Sequence, residues 1–318
     1  MKRLTFILFI LLSLAVTGCS NGEEARKPAV QQFVHIATGG MVGTYFPLGI
    51  AVADLINSNI PGANASVQST GASVDNINLM QQGKVDLIFS QNDILYYAEN
   101  GLEMFAGKKV DGLRGIASLY PETIQIITTD KTITSINQLR GKRISVGPIG
   151  GATAVQLSQI LHEYGFSMKE IIPVNLSFSE TAEAFKNGSI DAAIITAGIP
   201  TAAIQDVVLT KELSLLSIDE IVIARLIDKY PFYSKAIIPV NTYKNQNREV
   251  HSLDVKAVLA ANSRLDNKLV YNICKVLFNN NQQLKAVHPI AGYINKESAL
   301  DGMTLPLAEG AANYYQGK

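Results

Sequence analysis

The chain has 318 residues and carries 27 Lys plus Arg against 27 Asp plus Glu, for a formal net charge of zero. A balanced chain with no dense basic stretch cannot follow a phosphate backbone, which excludes nucleic acid as a partner. Single hydrophobic cores stop growing at roughly 250–300 residues, so a chain of this length is expected to form two lobes.

Met1-Lys2-Arg3 supplies a positive start, and Leu4–Val16 is apolar apart from Thr5 and Ser13. That run is shorter than the about 20 residues a membrane span needs. A basic start, a short apolar core and small residues before a cut site read as a secretion signal over residues 1–18. Val16-Thr17-Gly18-Cys19 is similar to the bacterial lipobox, in which the Cys is acylated and becomes the first mature residue. Cys19 is therefore the expected lipidation site. Acyl chains contribute roughly 0.8 kcal/mol per buried CH₂, enough in combination to hold a protein on a membrane. Residues 19–32, polar and holding Gly22 and Pro28, read as a flexible tether. Cys274 is the other cysteine, in the apolar helical pattern Val270, Ile273, Cys274, Leu277, and reads as a small core residue.

Short apolar runs then alternate with helical patterns. Strands are predicted at 33–38, 65–69, 87–90, 116–119 and 123–129, the last two on either side of Tyr120-Pro121-Glu122. Helices are predicted at 47–58 and 73–82. A second set follows: a short helix at 136–140, strands at 143–147, 171–176 and 192–196, and helices at 153–164 and 179–187. A strand at 256–261 and an amphipathic helix at 266–280, with Asp266 as its start signal, complete the pattern. Strand–helix alternation predicts an α/β fold with mainly parallel sheets flanked by helices. The two sets also share a layout. Gly83 with Asp86, and Gly188 with Asp191, each mark a helix end, an Asp turn and a buried strand.

Three segments carry the candidate ligand residues. In Ala37–Pro47, Gly39, Gly40 and Gly43 let the backbone approach a ligand, and Thr44 and Tyr45 lead into a helix. Free N–H groups and the positive end of that helix suit an anion. Gly147–Thr153 repeats the layout, which makes Gly150, Gly151 and Thr153 candidates; Thr153 reads either as a helix cap or as a hydroxyl donor. Ser90-Gln91-Asn92-Asp93 ends a buried strand, and the Gln91 amide can donate and accept, whereas Asn92 and Asp93 read as caps of a following helix. Ser69, Thr70 and Ala197 occupy comparable strand ends. Ligands in open α/β sheets bind beyond the carboxyl ends of strands, where these segments fall.

No catalytic or metal constellation accompanies them. The four histidines, His35, His162, His251 and His288, are scattered without metal-pair spacing. No Gly-x-Ser-x-Gly elbow, dinucleotide fingerprint or phosphate-binding Gly-Lys-Ser/Thr occurs. No catalytic residue, metal or cofactor is implied. Asp86 and Asp191 read as turn formers.

Taken together, the order of these segments resembles the solute receptors of TRAP transporters, TAXI family. The resemblance runs through Ala37–Pro47, Thr70-Gly71-Ala72-Ser73-Val74, Asp86–Asp93, Gly141–Thr153 and Ala197-Gly198-Ile199-Pro200-Thr201. It continues in Tyr230-Pro231-Phe232-Tyr233, Ile238-Pro239 with Thr242-Tyr243, Val270-Tyr271, and Gly310-Ala311 with Tyr314-Tyr315, and covers about residues 33–318. It implies a two-lobed type II periplasmic-binding-protein fold with the ligand cleft between lobes. The implied lobe I is residues 33–121 with 257–318 and lobe II is 122–256, with crossings near 120–123 and 255–261. It also implies a small carboxylate or amino acid ligand, glutamate or glutamine being the family's usual assignment, passed without chemistry to a membrane permease driven by an ion gradient. Three places depart from the family pattern. Met41-Val42 stand where Thr-Gly is common. Gly150-Gly151-Ala152-Thr153 replaces Gly-Ser-Gly-Thr, losing a hydroxyl at Gly151. Ala308-Glu309 replaces His-Pro before Gly310-Ala311. A same-fold receptor for another ligand or a sensor partner, a scaffold that has lost its ligand, and an enzyme of type II fold are the alternative readings.

Overall fold

The structure is a computed structural model that describes residues 32–318. The secretion signal, Cys19 and the tether up to residue 31 lie outside the described residues. Gln32, expected at the end of the tether, opens the first strand.

The elements in chain order are β1 (Gln32–Ala37), α1 (Tyr45–Asn59), β2 (Ala63–Gln68), α2 (Ser73–Gln81), β3 (Leu87–Gln91), α3 (Asn92–Asn100) and β4 (Leu113–Thr128). Then come β5 (Arg143–Ser145), α4 (Thr153–Glu163), β6 (Ile172–Val174), α5 (Phe178–Asn187), β7 (Ala192–Ala197), α6 (Ala202–Thr210), β8 (Ser214–Leu216) and α7 (Glu220–Lys229). The last are β9 (Ser234–Ile238), β10 (Val250–Asn262), α8 (Asn267–Asn279), α9 (Asn281–Val287) and α10 (Glu309–Gln316). The architecture is the expected two-lobed α/β fold of the periplasmic-binding-protein kind.

Its strands join into one mixed sheet in the order β2-β1-β3-β10-β4-β7-β5-β6, with β8 on β4 and β9 on β10. The ends are parallel: β1 pairs with β2 and β3, and β5 with β6 and β7. The centre is the antiparallel pair β4 and β10. Each serves both halves. β10 pairs through Ala257–Ala261 with β3 and through Val250–Asp254 with β9. β4 pairs through Thr123–Thr128 with β7.

Two expectations change here. The strands predicted on either side of Tyr120-Pro121-Glu122 are one strand, β4. A register shift separates the pairs Val258↔Ser118 and Ala257↔Tyr120, so the ladder is irregular beside Pro121, where a residue without an N–H is tolerated. β10 begins at Val250 rather than near residue 256. His251, Ser252 and Asp254 break the apolar run there, and pairing with β9 supplies what the local pattern lacks.

The parallel turns are built alike. The Asp86 carboxylate accepts from the His35 N–H at 2.8 Å, and the Asp191 carboxylate accepts from the Arg143 N–H at 2.8 Å. In both, the Asp N–H returns a bond to the same residue's carbonyl. Helix ends follow their local signals. Ser177 and Glu180 form a capping box on α5, Gly188 closes it in the left-handed conformation, and Asp266 accepts from the Leu269 N–H at 2.8 Å. Cys274 is free and buried, as expected of a core residue.

One apolar cluster runs from Ile77 and Ile94 through Val255 and Val258 to Leu157, Ile194 and Val222, so the two halves share core on one face. A second, with Leu48, Ile56, Phe89, Leu259 and Ile273, sits under α1 and α8. Full burial of each such side chain contributes roughly 1.5–3 kcal/mol. Helices α8 and α10 approach very closely. A Cβ at Gly310 would collide with the Asn267 carbonyl oxygen and lie 2.9 Å from the Tyr271 nitrogen. Both atoms are backbone and cannot swing away, so Gly310→Ala is expected to lower stability by about 1–3 kcal/mol. The reading is a fall in the urea midpoint at constant slope; an unchanged midpoint would mean that α10 lifts off α8 freely.

Candidate ligand-binding site

The glycine-rich turns after β1 and β5 lie at the carboxyl ends of their strands, and a cavity of about 80 Å³ sits between them. The first half contributes Gly39, Gly40, Gly43, Thr44, Tyr45, Thr70, Ala72, Ser73 and Gln91 to its wall. Glu122 comes from the central strand β4, and the second half contributes Pro148, Gly151, Ala152, Thr153, Ser177, Phe178, Thr196 and Ala197. Ten of the twelve ligand residues read from the sequence therefore line one cavity. Ser69 and Gly150 do not.

Both exceptions hold the walls. The Ser69 hydroxyl donates to the Gly39 carbonyl at 2.8 Å, bracing the glycine turn. The Gly150 carbonyl accepts from the N–H groups of Val74 and Asp75, at 2.9 and 3.2 Å. A loop of the second half thus satisfies the start of α2 in the first half. The close fit extends to Gly71, where a Cβ would meet the Ile149 carbonyl oxygen at 2.6 Å. These contacts make the arrangement a closed one.

Of the helix starts that face the cavity, those of α1, α2 and α4 have no side-chain cap, whereas α5 is capped by Ser177. α1 begins at Tyr45, two residues before the expected Pro47, with Thr44 at its N-cap position. Pro47 falls in the first turn, where its missing N–H leaves nothing unsatisfied. The Thr44 hydroxyl is buried and has no hydrogen-bond partner among the described residues. α4 begins at Thr153, but the Thr153 hydroxyl donates at 2.5 Å to the Val146 carbonyl. It therefore serves neither as a cap nor as an open donor: it ties the helix start to the end of the preceding strand.

Behind the glycine turns runs a buried polar network. Glu122 Oε2 accepts from the Tyr45 hydroxyl at 2.9 Å and from Gln91 Nε2 at 2.8 Å. Gln91 Oε1 accepts from Gln156 Nε2 at 2.8 Å, and that nitrogen also donates to Asp93 Oδ2 at 2.8 Å. Gln156 Oε1 accepts from the Thr196 hydroxyl at 2.6 Å. The amide of Gln91 is thus used on both sides, as its donor–acceptor chemistry allows. Gln156, on α4, links the two halves. Burial pushes the Glu122 carboxyl up from 4.5 to about 8; Gln91 and Tyr45 oppose the rise, while Asp93 and Asp254 add to it. Burial likewise pushes Asp93 up to about 6 against its hydrogen bond from Gln156.

Glu122, Gln156, Thr196, Ser177 and Phe178 were not singled out from the sequence. Glu122 had a signal: it is the only acid in the 16 residues of β4. A proline beside it reads as a turn, which hid it. Gln156 is a polar residue on the buried face of an amphipathic helix and had no other local mark.

Comparison with known proteins supplies the wider setting. The model of the NMT1-like family matches residues 36–318. The alkanesulfonate-binding protein of Xanthomonas axonopodis pv. citri, solved with MOPS bound, is 15% identical; 86% of each chain is covered, with a TM-score of 0.50. The periplasmic aliphatic sulphonate binding protein of Escherichia coli is 17% identical over 90% of this chain and 84% of that one, with a TM-score of 0.50. The ligand-binding component of an ABC-type import system from Staphylococcus aureus, with zinc bound, is 13% identical over 89% and 84%, with a TM-score of 0.52. At such identities the likeness is one of fold.

Two outcomes follow for this site. Folding holds a proton on Glu122 that the unfolded chain releases, so stability should fall as pH rises from about 4.5 to about 8 and level off above. Asp93 contributes in the same sense only up to about 6. In Glu122→Gln the decline between about pH 6 and about pH 8 should vanish when urea midpoints are compared across pH; its persistence would assign it to another group. Gly71→Ala should hold the loops apart and enlarge the radius of gyration in small-angle scattering, whereas an unchanged radius would show that the Ile149 loop yields.

Proposed function

This chain belongs to the NMT1-like family, and on that premise we propose that it is an exported solute receptor that closes its lobes over a small carboxylate and passes it, unaltered, to a membrane permease. The observation that carries the reading is the cavity between the strand ends of the two halves, faced by the uncapped starts of α1 and α4 and lined by Thr44, whose buried hydroxyl has no partner among the described residues. Among the described residues four buried side-chain oxygens lack a partner, and of these only the Thr44 hydroxyl belongs to a residue of the cavity wall, where a ligand oxygen would satisfy it. Helix starts present N–H groups and positive partial charge to an anion. Among the described residues no Lys, Arg or His side chain lines the cavity, so the donors there are dipoles rather than counter-ions.

The finer parts of the proposal draw on the sequence. The segments from Ala37–Pro47 to Gly310-Ala311 support a TRAP permease of the TAXI kind, driven by an ion gradient, as the recipient, and glutamate or glutamine as the ligand. Val16-Thr17-Gly18-Cys19 supports anchoring on a bacterial membrane through an acylated Cys19. Residues 33–121 with 257–318, and 122–256, are the two lobes proposed to move. Ligand contacts made from both lobes exist only when they are closed, so ligand shifts the population toward that form.

A thermal-shift screen of amino acids and small carboxylates, with calorimetry on each hit, tests this directly. Ligand at 100 times its dissociation constant should add about 2.7 kcal/mol of stability. Binding without turnover is the expected result; conversion of a bound compound would sink the receptor reading. Thr44→Val gives the sharper check. It should weaken affinity for a carboxylate about tenfold or more, since hydrogen bonds to charged groups contribute about 1.5–3 kcal/mol. The melting temperature without ligand should hold or rise, because an unpaired buried hydroxyl is removed. Unchanged affinity would take Thr44 out of the site.

A further inference from the structure

Among the described residues, Glu122 is the only carboxyl group on the cavity wall. Both of its donors, Tyr45 and Gln91, converge on Oε2. Oε1 has no hydrogen-bond partner among the described residues, yet it is not one of the sealed, unpartnered polar atoms. It is therefore the oxygen that the cavity reaches. Since Oε2 receives two donors, a proton on this carboxyl resides on Oε1.

The surroundings favour the neutral form. The groups that act on Glu122 are Tyr45 from α1, Asp93 from α3 and Asp254 from β10, and Tyr120 lies beside it on β4. None is a cation. β3 and β7 present the neutral side chains of Gln91, Thr196 and Ala197 to the cavity. Lys256, on the same strand as Asp254, draws Asp254 toward its charged form. An ionised Glu122 next to a bound anion would put two like charges in one buried site with no counter-ion, which disfavours ionisation.

We propose that Glu122 meets the ligand as a neutral acid: Oε1–H donates to an acceptor oxygen at one end of an anionic ligand, while the α1 start and Thr44 hold the other. The ligand class is then an anion with a second oxygen acceptor, such as a dicarboxylate or an acidic amino acid. The site retains one proton with each anion it captures. No bond is made or broken; above the acid's own range the proton is drawn from solvent on binding. This rests on the receptor reading given above, and it adds that capture is proton-linked.

The test uses the purified full-length protein with glutarate and with glutamate. Wild-type affinity for both should be level near pH 7 and fall about tenfold per pH unit above about pH 8, as one-proton linkage requires. Calorimetry of the wild type in two buffers of different ionisation enthalpy should show proton uptake per anion bound at about pH 9 and almost none at about pH 7. Glu122→Gln should abolish the uptake and flatten the profile. Proton release on binding, or an affinity for glutamate that rises with pH, would overturn the proposal, because an ammonium group would then be facing an ionised Glu122. Infrared difference spectra of ligand-free wild type against Glu122→Gln decide the acid separately. A protonated carboxyl band near pH 7 that the variant lacks is expected, and its absence would also overturn the proposal. If neither probe binds while that band is present, the receptor reading fails and the neutral acid stands.

Discussion

The antiparallel pairing of β4 with β10 is the constraint on which the rest depends. Among the described residues it is the only part of the sheet that belongs to both halves, since β1 to β3 pair on one side and β5 to β7 on the other. Both strands are long, 16 and 13 residues, and the pair carries the chain between the halves twice. Parallel strand ends point their carboxyl termini, and hence the following glycine turns, toward one gap. The cavity is a consequence of that topology. Glu122 lies on β4 opposite Val255 of β10, so the one acid among the described residues of the cavity wall sits in the strand pair that both halves share.

Around that acid the structure keeps a polar network where an apolar core would be easier to build. An unpaired buried polar group costs about 1–3 kcal/mol, so such a network is stable only when nearly complete. Tyr45, Gln91, Gln156, Asp93 and Thr196 satisfy one another over distances of 2.6–2.9 Å. The exceptions have meaning against that background. Among the described residues the Thr44 hydroxyl has no partner, and neither has Glu122 Oε1. Both belong to residues on the wall of the same cavity. Ala72, also on the wall, takes φ 80° and ψ −142°, a conformation that normally belongs to glycine and costs about 1–3 kcal/mol. Thr44 and Ala72 thus place a missing partner and a strained backbone on the wall of this cavity.

Closure has its own contacts. The Gly150 carbonyl caps the start of α2 across the gap, and Gly71 leaves no room for a side chain beside Ile149. These are few bonds set against a large shared core on one face. A small number of loop contacts, strengthened by a ligand held from both sides, is the physical form of a population shift.

Local chemistry was enough to read much of this chain. Period and glycine placement marked most strands and helices, because β-branched runs and left-handed helix ends depend on neighbours in sequence. The same signals marked twelve candidate residues of which ten line one cavity, since strand-end turns in parallel sheets face one side. The Asp86 and Asp191 turns were legible for the same reason. What the sequence concealed is long-range. Pro121 reads as a break, yet β4 runs through it because pairing with β10 tolerates an irregular ladder there. Thr153 looks like an open donor until Val146 is folded beneath it. Gln156 is an unremarkable helix residue until α4 is laid against β3 and β7. The sequence by itself determined the alternation of elements, the turn chemistry and the segments that border the cleft, all of them properties of adjacent residues. Only the tertiary structure decided that Glu122 is a buried acid with one open oxygen, because its environment is assembled from α1, β3, α3 and β10, which lie far from it along the chain.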